Sequence, residues 1–459
     1  MSRKKIILSI AAGQEVSRKG ENIVRRRLKY LNFGLLGLSS LIDQYSEYDV
    51  RMFQADNLMI QELIIEIEST GISISHDCKC VLLSIPSFHS ISWCVKFCEY
   101  IKKNYGITII VGGRWVVDNH TEWIKRKLKY VDIISEGFGE KFVSEYFGFS
   151  VPDKEFDGKK HCFTNINYRV LHNYLDYNPN IEISRGCGSG CVFCADGKNS
   201  RLPNKPVNVI MRELEELDNL YKEYTPYYTA PHFVFNERWV DEYCNESIKR
   251  SLIRSWRCTT RVESVPLKRL SDLRAAGMKV IDVGLESASI VQLRRMHKSN
   301  RPEQYLEKAA ALVEACARHN IWVKLNIMLY AGETLETISE TINWLNKYKN
   351  YIKDISAGSL VYYYNMNNLS ELIKLGASVP FDQNLEENGF ANLNMSDEVD
   401  VSIAQEICCT IPRIVANQRD FYDIKKFSYY SQDYNYNSFL RDVSKCNPRE
   451  LPFRVESEK

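Results

Sequence analysis

Three cysteines in the middle of the chain, Cys187, Cys191 and Cys194, form a CxxxCxxC array within the segment IEISRGCGSGCVFCADGKNSR. The array lies in a glycine-rich loop directly after a predicted strand, and a loop this short lets three thiolates converge on one centre. Iron–sulfur clusters normally take cysteine thiolates on all of their irons. Because no fourth cysteine lies nearby, one iron would stay open to another ligand. The array therefore predicts an iron–sulfur cluster with one reactive iron.

A zinc site and a coincidence of buried thiols are the two simpler explanations of this array. Structural zinc usually has four nitrogen or sulfur ligands, commonly from two separated pairs, and no matching CxxC or histidine pair follows. The remaining members of the 14 cysteines are scattered over a long chain. That distribution favours free buried thiols in a reducing compartment over a disulfide framework. We therefore expect a cytoplasmic protein.

The elements that must position the array belong to a βα series that begins at Ile181. Six strands are predicted there, separated by helices of ordinary length: IEIS, HFVF, WRCTTR, VIDVGLE, WVKLNIML and DISAGSLV. Alternating strands and helices form parallel sheets, so residues 179–364 predict a partial, TIM-like (β/α)6 barrel. The chemistry of such barrels lies at the carboxyl ends of the strands, and the cysteine array follows the first of these.

An earlier βα series over residues 5–147 predicts an α/β, doubly wound, flavodoxin-like (Rossmann-like) domain over residues 1–150. Residues 151–178 interrupt the pattern and predict a linker. Residues 365–459 predict a small, mostly α-helical region that contains the Tyr-rich run FSYYSQDYNYNSF. That run suits either an aromatic substrate cap or plain surface and domain packing, and we take the substrate cap as the prediction.

Charge and hydropathy exclude several classes of partner. The 60 Lys and Arg residues nearly balance the 58 Asp and Glu residues and leave a formal charge of +2, so no global field favours nucleic acid or an anionic membrane. The longest apolar runs fall far short of the roughly 18 residues expected of a membrane helix. The apolar stretch near the N-terminus predicts a strand rather than a signal peptide. We expect a soluble protein without nucleic-acid or membrane partners.

With Phe193 before its last cysteine, the array resembles the signature of the radical S-adenosylmethionine (SAM) superfamily. The resemblance implies a 4Fe–4S cluster on the three cysteines, with the amino and carboxyl groups of SAM on the open iron. It also implies reductive cleavage of SAM to methionine and a 5′-deoxyadenosyl radical, which abstracts hydrogen from a small-molecule or peptide substrate. An electron donor such as flavodoxin or ferredoxin is implied as a partner.

Later strand ends match the same family pattern. WRCTTRVE resembles the third-strand element in which an arginine, here Arg261, lies near SAM. VIDVGLESAS resembles the fourth-strand motif and implies SAM contacts from Glu286 and Ser287, while Lys298 completes a family-like MxK. For such charged residues the alternative is a surface salt bridge, but their shared location at predicted strand ends favours a functional role.

Two further elements match with departures from the pattern. LNIMLYAGET keeps a glycine, Gly332, that the resemblance places near SAM, although Tyr330 and Ala331 replace the usual glycine and proline. FVFNERWVDE resembles the second-strand element that contacts the SAM amino group. Both Asn236 and Glu237 can occupy that position, and we choose Glu237. No residue is assigned as a general acid, general base or other catalytic group.

The first domain resembles that of the cobalamin-binding subclass of the superfamily. Small residues at predicted strand ends, which would let the nucleotide tail of cobalamin approach the backbone, are Ser84, Gly112, Gly113 and Gly137. Glycines that simply end strands are the alternative. The DxHxxG motif of many cobalamin proteins is absent from the first domain, and Phe138 replaces a common glutamate.

The subclass resemblance implies cobalamin-dependent methylation of an unactivated carbon in a natural product or peptide. Two alternatives stay open. Without cobalamin, the barrel could perform rearrangement, crosslinking or another C–H functionalisation. The chain could also be a non-catalytic iron–sulfur or corrinoid-binding sensor, although the SAM-like elements at the later strands disfavour this.

Overall fold

The computed structural model describes residues 5–14, 23–116, 121–151, 165–194, 197, 199–364 and 368–455. The chain divides into two compact units. The first contains residues 1–21 and 29–177, and the second contains residues 22–28 and 178–459. Residues 152–164 of the predicted linker lie outside the described residues, and residues 165–177 belong to the first unit.

The first unit is built on a parallel five-stranded sheet with the order β2-β1-β3-β4-β5. This confirms the predicted flavodoxin-like order. The inner strands are continuous apolar runs because helices cover both faces of such a sheet. The strands are β1 (Ile6–Ala11), β2 (Asp49–Gln54), β3 (Cys78–Ser84), β4 (Thr108–Gly112) and β5 (Ile133–Ile134). The α-helices are Phe33–Tyr45, Ile60–Ser69, Ile74–Asp77, Ile91–Tyr105, Thr121–Lys127 and Gly139–Phe147, with 3-10 turns at Phe88–Ser90, Tyr168–Val170 and Tyr174–Asp176.

The second unit is built on a parallel six-stranded sheet in which every strand pairs with its neighbour in sequence. This is the predicted partial (β/α)6 barrel. Its strands are β6 (Asn180–Glu182), β7 (Tyr227–Thr229), β8 (Trp256–Arg261), β9 (Met278–Glu286), β10 (Trp322–Leu329) and β11 (Asp354–Ser359). The helices between them are Val207–Leu220, Glu237–Lys249, Leu270–Ala275, Ile290–Arg295, Pro302–Arg318 and Leu335–Tyr348, with 3-10 turns at Val262–Ser264, Leu267–Arg269 and Lys349–Tyr351.

The rest of the second unit is mostly helical, as predicted. A short antiparallel pair, β12 (Val361–Tyr363) and β13 (Phe390–Asn392), follows the barrel. The helices are Ile23–Arg26, Leu369–Lys374, Leu385–Asn388, Val401–Val415, Gln418–Ser428 and Tyr436–Val443, with a 3-10 turn at Pro448–Glu450. Among the described residues, every helix is too short or too polar to traverse a lipid bilayer.

The predicted second barrel strand, HFVF, was wrong. The strand lies upstream at Tyr227–Thr229, and HFVF belongs to the loop that follows it. Phe233 and Phe235 alternate with less buried residues as strand residues would, but they stack on each other with ring centroids 4.2 Å apart. Phe233 also meets Trp239 of the next helix edge to face at 5.1 Å. Aromatic packing in the loop therefore produced the alternating pattern.

A layer of buried charges lies near the amino ends of the barrel strands. Arg257 of β8 is fully buried and donates to both carboxylate oxygens of Asp282, at 2.8 and 2.7 Å. Lys324 of β10 lies 3.9 Å from the same carboxylate. Asp354, the first residue of β11, pairs with Lys425 at 3.2 Å. Because a buried charge is costly unless it is paired, these pairs fix the strands and the helix of Lys425 against one another.

The Tyr-rich run lies at this amino edge, away from the cysteine loop. Tyr429 places its ring 4.9 Å from the Arg257 guanidinium, and Phe427 lies 6.3 Å from Trp322, the first residue of β10. Tyr430 and Tyr434 are buried in an aromatic cluster whose members include Val24, Phe421, Tyr422, Phe439 and Phe453. The aromatic side chains of this run therefore pack the C-terminal helices onto the barrel.

Lys324 should make the stability of the second unit depend on alkaline pH. Burial lowers the pKa of Lys324 to about 8, whereas a lysine in an unfolded chain has a pKa of about 10.4. Between these values the unfolded chain binds the extra proton, so the free energy of unfolding rises with pH there. Relative to Lys324→Met, the free energy of unfolding of the natural chain should rise by up to about 3 kcal/mol from pH 7.5 to pH 10.5.

Urea unfolding followed by tryptophan fluorescence measures this difference. The matched control is Lys347→Met, which removes an exposed lysine from the helix Leu335–Tyr348. A Lys324→Met difference that is as independent of pH as that of the control would contradict the assignment.

Candidate functional site

The cysteine array forms a compact loop after β6. Backbone hydrogen bonds fold the loop onto itself: Cys187 N–H donates to Asn199 O at 3.0 Å, Gly190 N–H donates to Gly197 O at 3.0 Å, and Cys194 N–H donates to Cys191 O at 3.2 Å. Cys191 is buried, and Cys187 and Cys194 are partly exposed. One loop thus holds three cysteine thiols at the carboxyl edge of the sheet.

Most cysteines elsewhere are different in kind. Burial raises the pKa of the Cys80, Cys98 and Cys316 thiols to about 12, so these thiols stay protonated in the folded chain. Within the described ranges, no three His, Cys, Asp or Glu side chains enclose a single metal position. An iron–sulfur cluster presents several irons, so its cysteine ligands do not share one metal position. The three thiols of the loop fit the donor set of such a cluster.

Gly186 allows the loop to turn into the array. Its φ is +70°, and a Cβ atom at this position would lie 2.1 Å from the carbonyl oxygen of Ser200. A non-glycine residue in the left-handed region costs roughly 1–2 kcal/mol, and the backbone clash adds to this. The array therefore requires glycine at residue 186.

Gly186→Ala is expected to lower the iron bound per chain severalfold after anaerobic reconstitution, because relief of the clash moves the loop segment that carries Cys187. Gly71→Ala is the control, since Gly71 has φ +83° in the first unit with open space around it. Iron analysis with far-UV circular dichroism checks the result. Equal iron contents in folded Gly186→Ala and Gly71→Ala would contradict this role.

Arg261, the last residue of β8, links the array to the barrel. Its Nη1 donates to Cys191 Sγ at 3.1 Å, and its Nη2 donates to the carbonyl of Lys298 at 2.7 Å. Although burial opposes the charge, the negative groups of Cys191 and Glu263 raise the pKa of Arg261. The structure thus brings Arg261 directly to the array.

Glu286 and Lys298 form a buried pair beside Arg261. Lys298 Nζ donates to Glu286 Oε1 at 3.0 Å, and the two side chains are 4% and 11% exposed. Glu286 ends β9 with φ +66°, a conformation that costs a non-glycine residue energy and persists mostly at functional sites. Gly284 makes room for the pair, since a Cβ there would lie 2.4 Å from Glu286 Oε1.

The family model of the Radical SAM superfamily matches residues 181–345. These residues are a radical SAM domain. The match starts within β6 and ends in the helix Leu335–Tyr348, so it contains the array, Arg261, Glu286 and Lys298. A radical SAM domain has a 4Fe–4S cluster and SAM as its cofactors, as the resemblance implied.

Solved structures resemble a larger part of the chain. The radical SAM methyltransferase TsrM from Kitasatospora setae, with cobalamin and a [4Fe-4S] cluster bound, matches with a TM-score of 0.57 at 11% identity, over 78% of this chain and 72% of that chain. The cobalamin-dependent SAM radical enzyme OxsB, with aqua-cobalamin and SAM bound, matches with a TM-score of 0.56 at 14% identity, over 96% of this chain and 66% of that chain. No curated protein matches the sequence. At these identities the likeness shows the fold.

Other predicted SAM residues of the radical SAM domain have structural partners. Ser287 is buried and shares a 3.1 Å hydrogen bond with Thr341 of the helix Leu335–Tyr348. Gly332 has φ +77°, its N–H donates to Met395 O at 2.7 Å, and its carbonyl accepts from Arg295 at 2.5 Å. Both residues therefore shape the backbone at the strand ends, and their contacts with SAM stay a prediction.

Phe193 joins the array to an apolar cluster at the carboxyl edge. Its ring lies 6.4 Å from that of Tyr330, edge to face. The cluster combines the end of β10 with the segment 368–404, through Leu329, Tyr330, Ala331, Leu372, Ala377, Ala391, Leu393, Met395, Val399 and Ala404. The residues that replace the usual glycine and proline thus contribute buried surface next to the array.

Glu237 does not lie at the end of the second barrel strand, where its prediction placed it. It is exposed in the first turn of the helix Glu237–Lys249, and Asn236 caps that helix by accepting from Trp239 N–H at 2.8 Å. Because the strand lies at Tyr227–Thr229, the residue that follows its end most closely with a polar side chain is His232. A SAM contact from Glu237 stays a prediction.

His232 is a site residue that the sequence interpretation missed. Its Nε2 lies 2.5 Å from Ser264 Oγ, and its Nδ1 lies 3.5 Å from Ser189 Oγ within the array. Burial, with the charges of Arg261 and Arg201, lowers the pKa of His232 to about 4. The only sequence signal was a histidine after a strand, and the misplaced strand concealed it.

The four predicted cobalamin residues lie at the carboxyl edge of the first unit's sheet. Ser84 ends β3, and its hydroxyl accepts from Asn32 at 3.0 Å. Gly112 ends β4, and Gly113 follows with φ +110° against the backbone of Ile85, 2.7 Å from a Cβ placed there. Gly137 has φ +71° and open space around it. Chain packing alone explains Gly113, whereas the space at Gly137 is free for a ligand.

Proposed function

We propose that this radical SAM enzyme is a cobalamin-dependent methyltransferase that acts on an unactivated carbon of a natural product or peptide. The observation that carries the radical chemistry is the array at the carboxyl edge of the barrel, with Arg261 donating to Cys191 Sγ at 3.1 Å. The fold of TsrM, a radical SAM methyltransferase solved with cobalamin, supports the methyl transfer.

Cys187, Cys191 and Cys194 would hold the 4Fe–4S cluster through their thiolates. When bound, the cluster supplies the electron that cleaves SAM to methionine and a 5′-deoxyadenosyl radical. Cys187 and Cys194 are partly exposed, which leaves the loop open to an electron donor such as flavodoxin or ferredoxin. Arg261, which is half-buried beside Cys191, would balance the negative charge of the thiolates because a guanidinium stays charged.

Glu286 and Lys298 would bind the polar groups of SAM. The pair offers a buried carboxylate and a buried ammonium beside Arg261. SAM carries an amino group, a carboxylate and ribose hydroxyls, so each member of the pair has a matching partner on SAM.

The apolar cluster around Phe193 and Tyr330 would exclude water from the reacting carbon. It is formed by residues at the end of β10 and by the segment 368–404. A radical that meets water or protein side chains is lost to side reactions, so a dry, shaped surface is what the protein supplies to this chemistry. This segment, rather than the Tyr-rich run, is the part of residues 365–459 that we propose as the substrate cap.

The first unit would bind cobalamin at the carboxyl edge of its sheet, where doubly wound sheets bind ligands. When bound, cobalamin supplies the methyl group to the substrate, and SAM supplies the next methyl group to cobalamin. Ser84, Gly112 and Gly137 are small residues at three adjacent strand ends. The DxHxxG motif is absent from the sequence of this domain, so we propose binding without a histidine from that motif beneath the corrin.

Cobalamin binding can be tested with two matched glycine variants. Gly137 and Gly148 both have φ +71° and open surroundings, and asparagine tolerates this conformation. Gly137 follows β5 at the carboxyl edge, whereas Gly148 follows the helix Gly139–Phe147. Anaerobic reconstitution with iron, sulfide and hydroxocobalamin, then desalting, should leave about one cobalt per chain in the natural protein and in Gly148→Asn. Gly137→Asn should hold severalfold less.

Iron and cobalt analysis distinguishes the alternatives. About four irons with stoichiometric cobalt support the methyltransferase. About four irons without cobalt would overturn the cobalamin proposal and favour a radical rearrangement, crosslinking or other C–H functionalisation. Cobalt that is bound equally by all three proteins would overturn the place assigned to Gly137.

A further inference from the structure

A chain of hydrogen-bonded side chains ends at the thiol of Cys187. Ser189 Oγ lies 3.0 Å from Cys187 Sγ, His232 Nδ1 lies 3.5 Å from Ser189 Oγ, and Ser264 Oγ lies 2.5 Å from His232 Nε2. The three residues come from the array, from the loop after β7 and from the 3-10 turn after β8. Residues that follow two barrel strands thus orient the Ser189 hydroxyl toward one cluster ligand, Cys187.

Ligation of iron fixes the direction of these hydrogen bonds. A cysteine that binds iron is a thiolate and can only accept. A hydrogen bond between Ser189 and the Cys187 thiolate would have the Ser189 hydroxyl as its donor, which would leave the hydroxyl oxygen free to accept from His232 Nδ1–H. In the neutral imidazole, His232 Nε2 then accepts from the Ser264 hydroxyl. Every donor in the chain consequently points toward the cluster.

Hydrogen bonds to the sulfur ligands are one of the means by which a protein sets the potential of an iron–sulfur cluster. The reduced cluster carries one more negative charge than the oxidised cluster, so a donor at sulfur stabilises the reduced form more. Arg261 already donates to Cys191 Sγ. The Ser189 hydroxyl would do the same at Cys187, so two of the three thiolates would receive hydrogen bonds from side chains.

We propose that Ser189, oriented by His232 and Ser264, donates to the Cys187 thiolate and raises the reduction potential of the cluster. His232 and Ser264 are positioning residues in this arrangement, since they act through Ser189. The inference rests on the proposed cluster at Cys187, Cys191 and Cys194, and it is independent of cobalamin.

The test is the midpoint potential of the reconstituted cluster without SAM, followed by EPR during a reductive titration. Ser189→Ala and His232→Ala should each make the potential more negative. Ser189→Ala/His232→Ala should match Ser189→Ala, because His232 acts only through the hydroxyl, and such non-additivity marks residues in one network. Ser189→Thr keeps the hydroxyl and should stay close to the natural potential.

Two controls separate this effect from general loosening. Ser402→Ala removes an exposed hydroxyl from the helix Val401–Val415, and His319→Ala removes a histidine at the C-terminal end of the helix Pro302–Arg318. Both should keep the natural potential. If the substitutions only loosened the loop, the iron content would fall, but the potentials of Ser189→Ala and the double variant would not match.

Each outcome decides the inference. A natural chain that binds about four irons and cleaves SAM, while every variant keeps its potential, overturns the inference and leaves the proposed function intact. A natural chain without a cluster overturns both. If Ser189→Ala binds too little iron for titration, His232→Ala and His232→Asn decide. Asparagine offers an N–H near the position of Nδ1, so the potential of His232→Asn should lie closer to the natural value than that of His232→Ala. Equal potentials in these two variants overturn the inference.

Discussion

Cys191→Ala is expected to lose the cluster and all production of 5′-deoxyadenosine. Cys191 is the buried member of the array, and its sulfur receives the hydrogen bond from Arg261. Without it, only two thiols of the array remain, and a cluster that normally has three or four cysteine ligands is poorly held. Arg261 Nη1 would also lose its acceptor at Cys191 Sγ. Iron analysis and chromatography of the SAM products after reduction measure both losses.

Cys409→Ala is the matched control for this variant. Cys409 is a partly exposed free cysteine in the helix Val401–Val415, so its loss should change neither iron content nor SAM cleavage. Cys187→Ala and Cys194→Ala should behave like Cys191→Ala. A Cys191→Ala protein that keeps the iron and the SAM cleavage of the control would show that the array does not hold the cluster.

Asp282→Asn should destabilise the second unit by about 3–5 kcal/mol, the usual cost of removing one partner from a buried ion pair. The asparagine keeps the shape of the side chain but leaves Arg257, which is fully buried, without its counter-charge. Lys324, 3.9 Å from the same carboxylate, would lose its nearest negative group as well. The urea concentration at the midpoint of unfolding, followed by tryptophan fluorescence, measures the effect.

Asp272→Asn is the control for the buried pair. Asp272 pairs with Arg269 at 2.8 Å, but its side chain is 50% exposed, and exposed pairs contribute at most about 1 kcal/mol. Equal midpoints for Asp282→Asn and Asp272→Asn would contradict the account of the charged layer. Such a result would mean that the layer is hydrated rather than buried.

The sequence was sufficient where the signal is local. The flavodoxin-like order followed from five apolar strands with helices between them, and β10 was predicted over WVKLNIML, the residues of Trp322–Leu329. Parallel strands buried on both faces are continuous apolar runs, which makes them easy to locate. The three cysteines were found for the same reason, because their spacing alone brings them into one loop.

The sequence was insufficient where side chains meet across the fold. Arg257, Asp282 and Lys324 interrupt the strands as single charged residues, and nothing local indicates that they are partners. The strand at Tyr227–Thr229 is short, and the alternating aromatic residues of HFVF imitated a strand nearby. His232 contacts the array, and Ser264 contacts His232, only because β7 and β8 end beside the array. Such contacts depend on strand register, which a single sequence does not reveal.

The roles of Glu286 and Lys298 lie between these cases. Their motifs marked them as candidates, but the ion pair, its burial and the left-handed turn at Glu286 became visible only in the structure. Glu237 illustrates the opposite outcome, since its predicted place depended on a strand that lies elsewhere. The motif of Glu286 ends a long strand, whereas the choice of Glu237 depended on a strand that is short and lies upstream.

The EPR spectrum of the reduced, reconstituted protein, recorded with and without SAM, tests the central claim most directly. A cluster with an open iron on Cys187, Cys191 and Cys194 should give a reduced-cluster signal that changes when SAM is added, with 5′-deoxyadenosine formed in the same sample. A signal that is identical with and without SAM, with no 5′-deoxyadenosine, would contradict the claim.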